Sequence, residues 1–387
     1  MFNNNTNFKS FGKKKPNKKL SNFFKKLVSN KNEILISMGS SYKNLYKKTQ
    51  ISKLKTFHNV MVIGMGGSIL GARCIYSFLK HKIKKNFIFI DNLENKEIEP
   101  SFKKRKLNLI ISKSGNTLET IANCNFLVKK NHKNIFITEN KNSYLTKLAA
   151  ALKAEVIHHN NFIGGRYSVL SEVGMVPAEL MGLTTNKFRK FNSLIKDKRF
   201  VNSLLTNVSY HLDLIRKKKT NSIILNYDEK SNDLFLWYQQ LIAESLGKKG
   251  KGVLPIISSM PKDNHSLMQL YLDGLKNNFY TFFFVKENKS QFIKKNFLQK
   301  SHFYLKKRNL NEIKYSQFMA TQKVFKKKKI PFRSFVVEKR NEEVLGELFV
   351  FFMLETILLA RALNINPYNQ PAVELIKSDT KKILINT

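Results

Sequence analysis

The sequence predicts an α/β protein made of two successive parallel-sheet units and a C-terminal helical closing segment. Short apolar runs alternate with helix-length segments, a pattern that indicates crossover connections and parallel sheets covered on both faces. A helical stretch near residues 187–218 separates two series of runs, and 387 residues suffice for two ordinary domains. The first series is NVMVIG (59–64), NFIFID (86–91), LNLIIS (107–112), NIFIT (134–138) and AEVIH (154–158); the second is NSIILNY (221–227), GVLPIIS (252–258), FYTFFFV (279–285) and FRSFVVE (332–338).

These runs and the composition between them divide the chain into four parts. The first 50 residues are polar, rich in Asn and Lys and weakly periodic, which predicts a mobile or loosely docked arm. Each series of apolar runs then defines one domain. The predicted parts are a basic polar arm (1–50), a first α/β domain (51–185), a second α/β domain (186–340) and a closing segment (341–387).

The closing segment begins with the longest apolar stretch of the chain, near Leu345 to Leu363. Because Glu347, Glu355 and Arg361 interrupt it, the stretch predicts a buried helix rather than a membrane span. The N-terminal residues also lack the apolar core of a secretion signal. We therefore expect no membrane partner.

Cysteine and histidine content indicates a reducing compartment and no metal. Cys74 and Cys124 are too few for a disulfide framework, so a cytoplasmic location is the simpler expectation. The adjacent His158 and His159 have no cysteine or suitably spaced histidine beside them. The sequence therefore predicts no metal site.

The net charge of +42 is the most unusual feature of the composition. It suits a polyanion partner such as nucleic acid. However, the basic residues are scattered along the chain and are nearly all lysine, whereas phosphate and groove readers favour clustered arginine. Abundant Lys, Asn, Ile and Phe together favour a compositional bias, so we expect no specific nucleic-acid partner.

A glycine-rich loop, Gly64 to Gly71, follows the first apolar run. It fails the dinucleotide fingerprint because Ile69 replaces the third glycine, and it fails the Walker pattern because Ala72 follows Gly71. We therefore expect neither NAD nor ATP. The loop does offer backbone at Gly67 that a ligand can approach and the Ser68 hydroxyl at a helix start. A structural turn and a ligand-binding loop both remain open.

The stretch SKSGNTLET (112–120) follows a later run of the same series. Ser112 and Ser114 precede a predicted helix, and Thr117 and Thr120 share one face of it. Hydroxyls beside the free N–H groups of a helix start suit a phosphate monoester. Capping of the helix is the alternative, by Ser114 or Asn116 with help from Glu119. Since one cap needs one hydroxyl, the pattern favours anion binding, with Lys113 in the same loop.

Together with four later stretches, this one resembles the phosphoglucose isomerase family, over roughly residues 59–377. The resemblance implies two sugar-isomerase (SIS) domains and the interconversion of glucose 6-phosphate and fructose 6-phosphate, without a cofactor, in glycolysis and gluconeogenesis. The later stretches are FIGGRYS (162–168), QQLIAES (239–245), DNHSLMQL (263–270) and PYNQPAVELIK (367–377), in the order of the family.

The resemblance also implies roles for individual residues. Aldose–ketose isomerisation moves a proton between C1 and C2 through an enediol, which needs one carboxylate that reaches both carbons. By resemblance that base is Glu244. Arg166 matches the arginine that stabilises the enediolate, and Gly165 before it lets the backbone approach the substrate. Gln240 and Gln370 match substrate-binding or orienting glutamines.

Ring opening needs an acid and a base, and the family uses a histidine and a lysine there. The matching residues are His265 and Lys377, while Glu374 is more plausibly structural. The resemblance further implies a homodimer in which His265 acts on the partner's site.

Three alternatives stay open at this stage. The chain could also accept mannose 6-phosphate, since that choice depends on the pocket around C2. It could be a non-catalytic SIS regulator that binds sugar phosphates, although such a protein has no need of Glu244, Arg166, His265 and Lys377 together. A polyanion-binding protein built on this fold is the third alternative.

Overall fold

Two five-stranded sheets form the framework of the chain, and the apolar runs of the two series supply nearly all of their strands. This computed structural model describes residues 5–12, 16–30, 32–94, 102, 106–287, 290–294 and 297–386. The strands are β1 (Thr6–Lys9), β2 (Asn59–Gly64), β3 (Asn86–Ile90), β4 (Lys106–Ile111), β5 (Lys133–Thr138), β6 (Glu155–His158), β7 (Asn221–Asn226), β8 (Leu254–Ser259), β9 (Asn278–Val285) and β10 (Phe332–Val337).

Both sheets confirm the predicted parallel architecture. The first has the order β3-β2-β4-β5-β6, and all of its pairings are parallel. The second has the order β1-β10-β9-β7-β8, and only β1 runs antiparallel to its neighbour. Every residue of β4 and β9 is buried, as expected for central strands that helices cover on both faces.

Helices connect the strands and cover the sheets. Side chains just before the first turn cap several of them: Asn17 accepts from the backbone of Lys19, and Asn341 from that of Val344. The helices are α1 (Lys18–Ser29), α2 (Glu33–Ser37), α3 (Lys48–Leu54), α4 (Leu70–Leu79), α5 (Leu118–Leu127), α6 (Tyr144–Ala151), α7 (Glu172–Leu180), α8 (Phe191–Leu194), α9 (Lys198–Arg216), α10 (Asn232–Leu246), α11 (Met268–Asp273), α12 (Leu310–Lys327), α13 (Glu342–Ala362) and α14 (Val373–Asn386).

The long apolar helix α13 is buried along almost its whole length, as the sequence predicts. Its side chains belong to a core cluster that also contains residues of both sheets, including Val60 of β2 and Phe335 of β10. Within the described residues, no helix combines the length and the hydropathy needed to cross a membrane.

A buried ionic cluster ties α13 and α10 to the second sheet. Arg333 of β10 donates to Glu355 of α13 at 2.5 Å and to the hydroxyl of Tyr238 of α10 at 3.1 Å. His211 of α9 lies 3.3 Å from the same carboxylate. Burial alone would raise the pKa of Glu355, but the charge of Arg333 and the hydrogen bond from His211 lower it to about 2. This network fixes α10, the helix that carries Gln240 and Glu244.

The N-terminal segment differs from the mobile or loosely docked arm that its composition predicts. Strand β1 pairs with β10 and extends the second sheet. Helix α1 buries Leu20, Phe24 and Leu27, which are spaced to share one helical face. The lysines and asparagines between them hide this narrow apolar stripe when composition alone is considered.

Two tyrosines anchor the following residues to the first domain. Tyr42 donates to Glu172 at 2.8 Å, and Tyr46 donates to Glu179 at 2.9 Å; both acceptors belong to α7. The guanidinium of Arg189 lies over the Tyr42 ring, 5.0 Å from its centroid. These polar groups can be buried because each of them has a hydrogen-bond partner.

The strand order places the ligand-binding edge of the first sheet. From β2 the chain continues to β3 on one side and later to β4 on the other, so the strand order reverses between β2 and β4. In open parallel sheets, ligands bind at the carboxyl ends of the strands at such a reversal. The glycine loop after β2 and the hydroxyl-rich loop after β4 both lie there.

Candidate active site

Arg166 forms the centre of the candidate site. It lies in the 3₁₀ turn Gly165–Leu170 after β6 and is 2% exposed. A guanidinium has five N–H donors, and this one uses all of them on two separate parts of the chain. The Nε donates to Ser245 Oγ (2.9 Å), Nη1 to Glu244 Oε2 (3.0 Å) and to Gln370 Oε1, and Nη2 to the carbonyls of Pro367 (2.5 Å) and Asn369 (3.2 Å).

Glu244 lies beside Arg166 and receives a second polar partner from its own helix. Gln240, one turn earlier on α10, donates its amide to Glu244 Oε1 at 2.9 Å. Each carboxylate oxygen therefore has one fixed donor, while the side chain remains 30% exposed and accessible to a ligand. The Oε1 atom of Gln240 is buried and has no hydrogen-bond partner within the described residues, which leaves it available to a ligand hydroxyl.

The glycine loop after β2 packs directly against α10 and against the 3₁₀ turn that carries Arg166. A Cβ on Gly67 would lie 2.1 Å from the carbonyl carbon of Gly165, so only glycine allows the two backbones this close. Gly66 adopts φ +51°, and a Cβ there would lie 2.7 Å from Gln240 Nε2. The loop thus belongs to the same site as Arg166 and Gln240. Ser68 ends the short 3₁₀ turn of this loop.

The hydroxyl-rich stretch lies at the start of α5. Ser112 Oγ is 2.9 Å from Thr117 Oγ1, and Ser114 is exposed. Thr117 is the N-cap residue, but its side chain makes no capping hydrogen bond. Asn116 instead accepts from the backbone N–H of Tyr144 at the start of α6. The capping alternative for Ser114 or Asn116 is therefore not what the structure shows, and the first turn of α5 keeps its donors.

Two further residues of this stretch have different surroundings. The Thr120 hydroxyl is buried and has no hydrogen-bond partner within the described part of the chain. Lys113 donates to the carbonyl of Asn161 at 2.8 Å and lies 3.4 Å from Glu139. Lys113 therefore braces the loop between β6 and Arg166 as well as the loop that carries the hydroxyls.

Neither His265 nor Lys377 joins this group. His265 is exposed and follows the 3₁₀ turn after β8. Lys377 lies on α14, is 64% exposed and pairs with Glu374 at 2.7 Å. Among the contacts between described residues, none connects either side chain to Glu244 or Arg166.

Sequence patterns did not single out three residues that support the site. Ser245 accepts from Arg166 and shares a 2.9 Å hydrogen bond with the Tyr167 hydroxyl. Burial raises the pKa of Tyr167 to about 12, so the phenol stays neutral. Lys248 donates to the carbonyls of Ser245 and Asn366. Their only sequence signal is adjacency to Glu244 and Arg166.

The structure offers no metal-binding constellation in the part of the chain that it describes. No group of three or more His, Cys, Asp or Glu side chains there could hold an ion. His159 instead lies 3.5 Å from the buried Glu172 and 3.0 Å from the carbonyl of Ile163. Both cysteines are buried and free.

The chain is similar in sequence to a known family and to several of its members. The family model described as phosphoglucose isomerase matches residues 25–387. A glucose-6-phosphate isomerase of Methanocaldococcus jannaschii is 34% identical over 342 residues, which cover 83% of each chain. A glucose-6-phosphate isomerase of Mycoplasmopsis synoviae is also 34% identical, over 83% of this chain and 81% of that protein.

Solved structures show the same fold. A hypothetical protein from Thermus thermophilus matches with a TM-score of 0.81 over 94% of both chains, at 21% identity. A glucose-6-phosphate isomerase from Chlamydia trachomatis matches with a TM-score of 0.72 over 91% of this chain and 77% of that one, at 18% identity. At these identities the likeness concerns the fold alone, and it confirms the predicted architecture of two sugar-isomerase α/β domains.

Proposed function

The chain belongs to the phosphoglucose isomerase family, and we propose that it interconverts glucose 6-phosphate and fructose 6-phosphate through an enediol, with Glu244 as the base. The observation that supports this most is the meeting of Arg166, Glu244 and Gln240 beside the glycine loop. It brings one accessible carboxylate, one permanent positive charge and one free acceptor to the ligand-binding edge of the first domain.

Glu244 moves the proton. Its carboxylate takes the proton from C2 of the open-chain aldose and returns it to C1, which converts the aldose into the ketose. Two donors hold the carboxylate, so it needs little reorganisation between the two transfers. All five N–H donors of Arg166 are bonded to protein groups. Arg166 therefore stabilises the enediolate through its positive charge and not through an N–H hydrogen bond to the substrate. This charge acts strongly because the guanidinium is almost completely shielded from water.

The loop after β4 binds the phosphate. Ser114 and Thr117 offer hydroxyls, and the first turn of α5 offers backbone N–H groups that no side chain caps. The unpaired hydroxyl of Thr120 lies on the same helix. Ser112 and Lys113 hold the loop, while Gly67, Ser68 and Gly165 let the backbone approach the sugar. Gln240 and Gln370 orient its hydroxyls.

His265 and Lys377 open the ring, and a homodimer brings His265 to the partner's site. Support comes from the exposed position of His265 and from α14, which has no buried residue. Leu375, Ile376 and Ile385 on this helix are each at least 70% exposed, an amount of apolar surface that a second subunit would cover. The site works in the cytoplasm, in glycolysis and gluconeogenesis.

A coupled assay tests the proposal. Purified full-length protein is supplied with fructose 6-phosphate, and in parallel with mannose 6-phosphate, without added metal or nucleotide. We expect turnover of fructose 6-phosphate. Turnover of mannose 6-phosphate as well would extend the substrate range, and turnover of neither sugar would contradict the proposed reaction.

A further inference from the structure

A glycine- and lysine-rich turn, Gly247–Gly252, follows α10 immediately after the proposed base. An isolated antiparallel bridge joins Lys248 to Lys251 across the turn. Gly252 has φ +130°, and a Cβ there would lie 3.1 Å from the Cα of Gly247, so the close return of the chain needs glycine at this position. The turn therefore sets Lys248 and Lys251 side by side.

Both lysines bind the loop between α13 and α14, which we call the C-terminal loop (residues 363–372). Lys251 Nζ donates to the carbonyl of Leu363 at 2.9 Å, and Lys248 Nζ donates to the carbonyl of Asn366 at 2.5 Å. Arg166 then binds the next part of this loop through Pro367, Asn369 and Gln370. The two lysines thus hold the loop just before the residues that hold the arginine.

Lys248 and Arg166 are also attached to the same residue of α10. The carbonyl of Ser245 accepts from Lys248 at 3.2 Å, and its hydroxyl accepts from Arg166 at 2.9 Å. The carbonyl of Ser245 lies in the last turn of α10, where a positive charge is favourable. Ser245 directly follows Glu244 in the sequence, so both cations are attached to α10 next to the proposed base.

The charges of these three groups influence one another. Partial burial and the positive charge of Arg166 lower the pKa of Lys248 to about 8, although the carboxylate of Glu244 opposes this shift. The Nζ atom of Lys248 contacts the neutral carbonyls of Ser245 and Asn366, and Lys251 lies across the turn from it.

We propose that Lys248 is a positioning residue of the isomerisation: it holds the C-terminal loop against Arg166, and it ties that loop to the last turn of α10 beside Glu244. This inference rests on the proposed function of Glu244. Lys251 shares the first role but not the second, because its contact is with the far end of the loop at Leu363. Lys249 shares neither, since it is exposed and its side chain makes no hydrogen bond or ion pair with a described residue.

The turn therefore contains its own controls. In full-length protein with fructose 6-phosphate, we expect Lys248→Met to lower kcat about tenfold, the size of one charge-assisted hydrogen bond. The alkaline limb near pH 8, which deprotonation of Lys248 gives the wild type, should be absent from its pH profile. Lys251→Met should lower kcat without moving that limb. Lys249→Met should match the wild type.

Lys248→Arg tests whether the reaction needs the positive charge of this side chain or the particular shape of lysine. It keeps a positive charge at all accessible pH values, so most of the activity should return. Wild-type activity should fall as pH rises through about 8, where Lys248 loses its proton, and Lys248→Arg should retain its activity there. Thermal unfolding of each variant reports whether a loss of activity comes from a loss of fold.

Each contrary outcome has a distinct meaning. A Lys248→Met protein with the kcat and pH profile of Lys249→Met would overturn the inference. A lower kcat with the alkaline limb still present near pH 8 would overturn the role of the charge and leave only a structural contact. If the wild type turns over no sugar phosphate, the proposed function fails as well, whereas the first two outcomes leave that function intact.

Discussion

The candidate site has two parts that differ in how far the single chain completes them. Arg166, Glu244, Gln240 and Gln370 form a connected group around the buried guanidinium of Arg166, and donors and acceptors of the same chain hold it in place. His265 and Lys377 are exposed, and neither is connected to that group through contacts between described residues. The first part is assembled by the fold, while the second is presented at the surface.

This difference follows from what each part has to do. The proton-transfer group must keep one geometry through two transfers, so burial and a full set of hydrogen bonds suit it. Ring-opening groups act on a cyclic sugar before that step. A second subunit or a movement of α14 toward the site would bring these groups to the substrate. Either one would explain why the two side chains are solvent-exposed in the single chain. The following predictions test this division, from the largest expected effect to the smallest.

Removing the base should inactivate the assembled part. Glu244→Gln keeps the size of the side chain and can keep a bond to Gln240 or Arg166, but it cannot take up the substrate proton. We expect kcat to fall by about 10²–10⁴-fold with little change in thermal unfolding. Glu229→Gln, at an exposed glutamate, is the matched control. Turnover within a few-fold of the control would assign the base to another residue.

Removing the amine of the surface-presented part should affect rate but not stability. Lys377 pairs with Glu374 on an exposed helix face, and such pairs contribute little to stability. We expect Lys377→Met to lower kcat by about 10²-fold for the cyclic substrate, with thermal unfolding unchanged. Lys381→Met on the same helix is the control. Equal activity of the two variants would remove Lys377 from the site.

Mixing two inactive variants tests whether the surface-presented histidine serves a partner. Glu244→Gln and His265→Ala are unfolded and refolded together, so half of the dimers are mixed after random exchange. With His265 acting on the partner's site, each mixed dimer has one intact site, and roughly a quarter of wild-type activity should return.

The control is the average activity of the two parent proteins, with exchange verified by a tag on one of them. If His265 serves its own subunit, every site in the mixture has one defect and no activity returns. A mixture no more active than that average would therefore rule out the shared site.

The smallest effect should come from the phosphate loop, because it binds substrate and transition state alike. Ser114→Ala with Thr117→Ala should raise KM at least about tenfold and leave kcat nearly unchanged. Ser52→Ala with Thr56→Ala, in and just after α3, is the control for the loss of two hydroxyls. An unchanged KM would assign these hydroxyls to the structure of the loop rather than to the ligand.

Much of the fold could be predicted from local patterns. The nine strands of the two domains begin and end within two residues of the predicted runs, because a buried parallel strand needs an unbroken apolar run that any reader of the sequence can see. The closing helix was predictable for the same reason. The docking of α1 was not predictable, since its apolar residues are few and form one face only when the helix forms.

Sequence by itself also predicted the proton-transfer residues, because the stretches around Arg166 and Glu244 resemble those of a family. Only the tertiary structure decided how they are held: that all five donors of Arg166 are used, that Gly67 brings one backbone against another, and that Lys248 joins the end of α10 to the C-terminal loop. Local patterns depend on neighbours along the chain, whereas these contacts join residues up to 204 positions apart. Hydrogen bonds at that separation depend on how the sheets and helices pack, which periodicity and motif spacing do not encode.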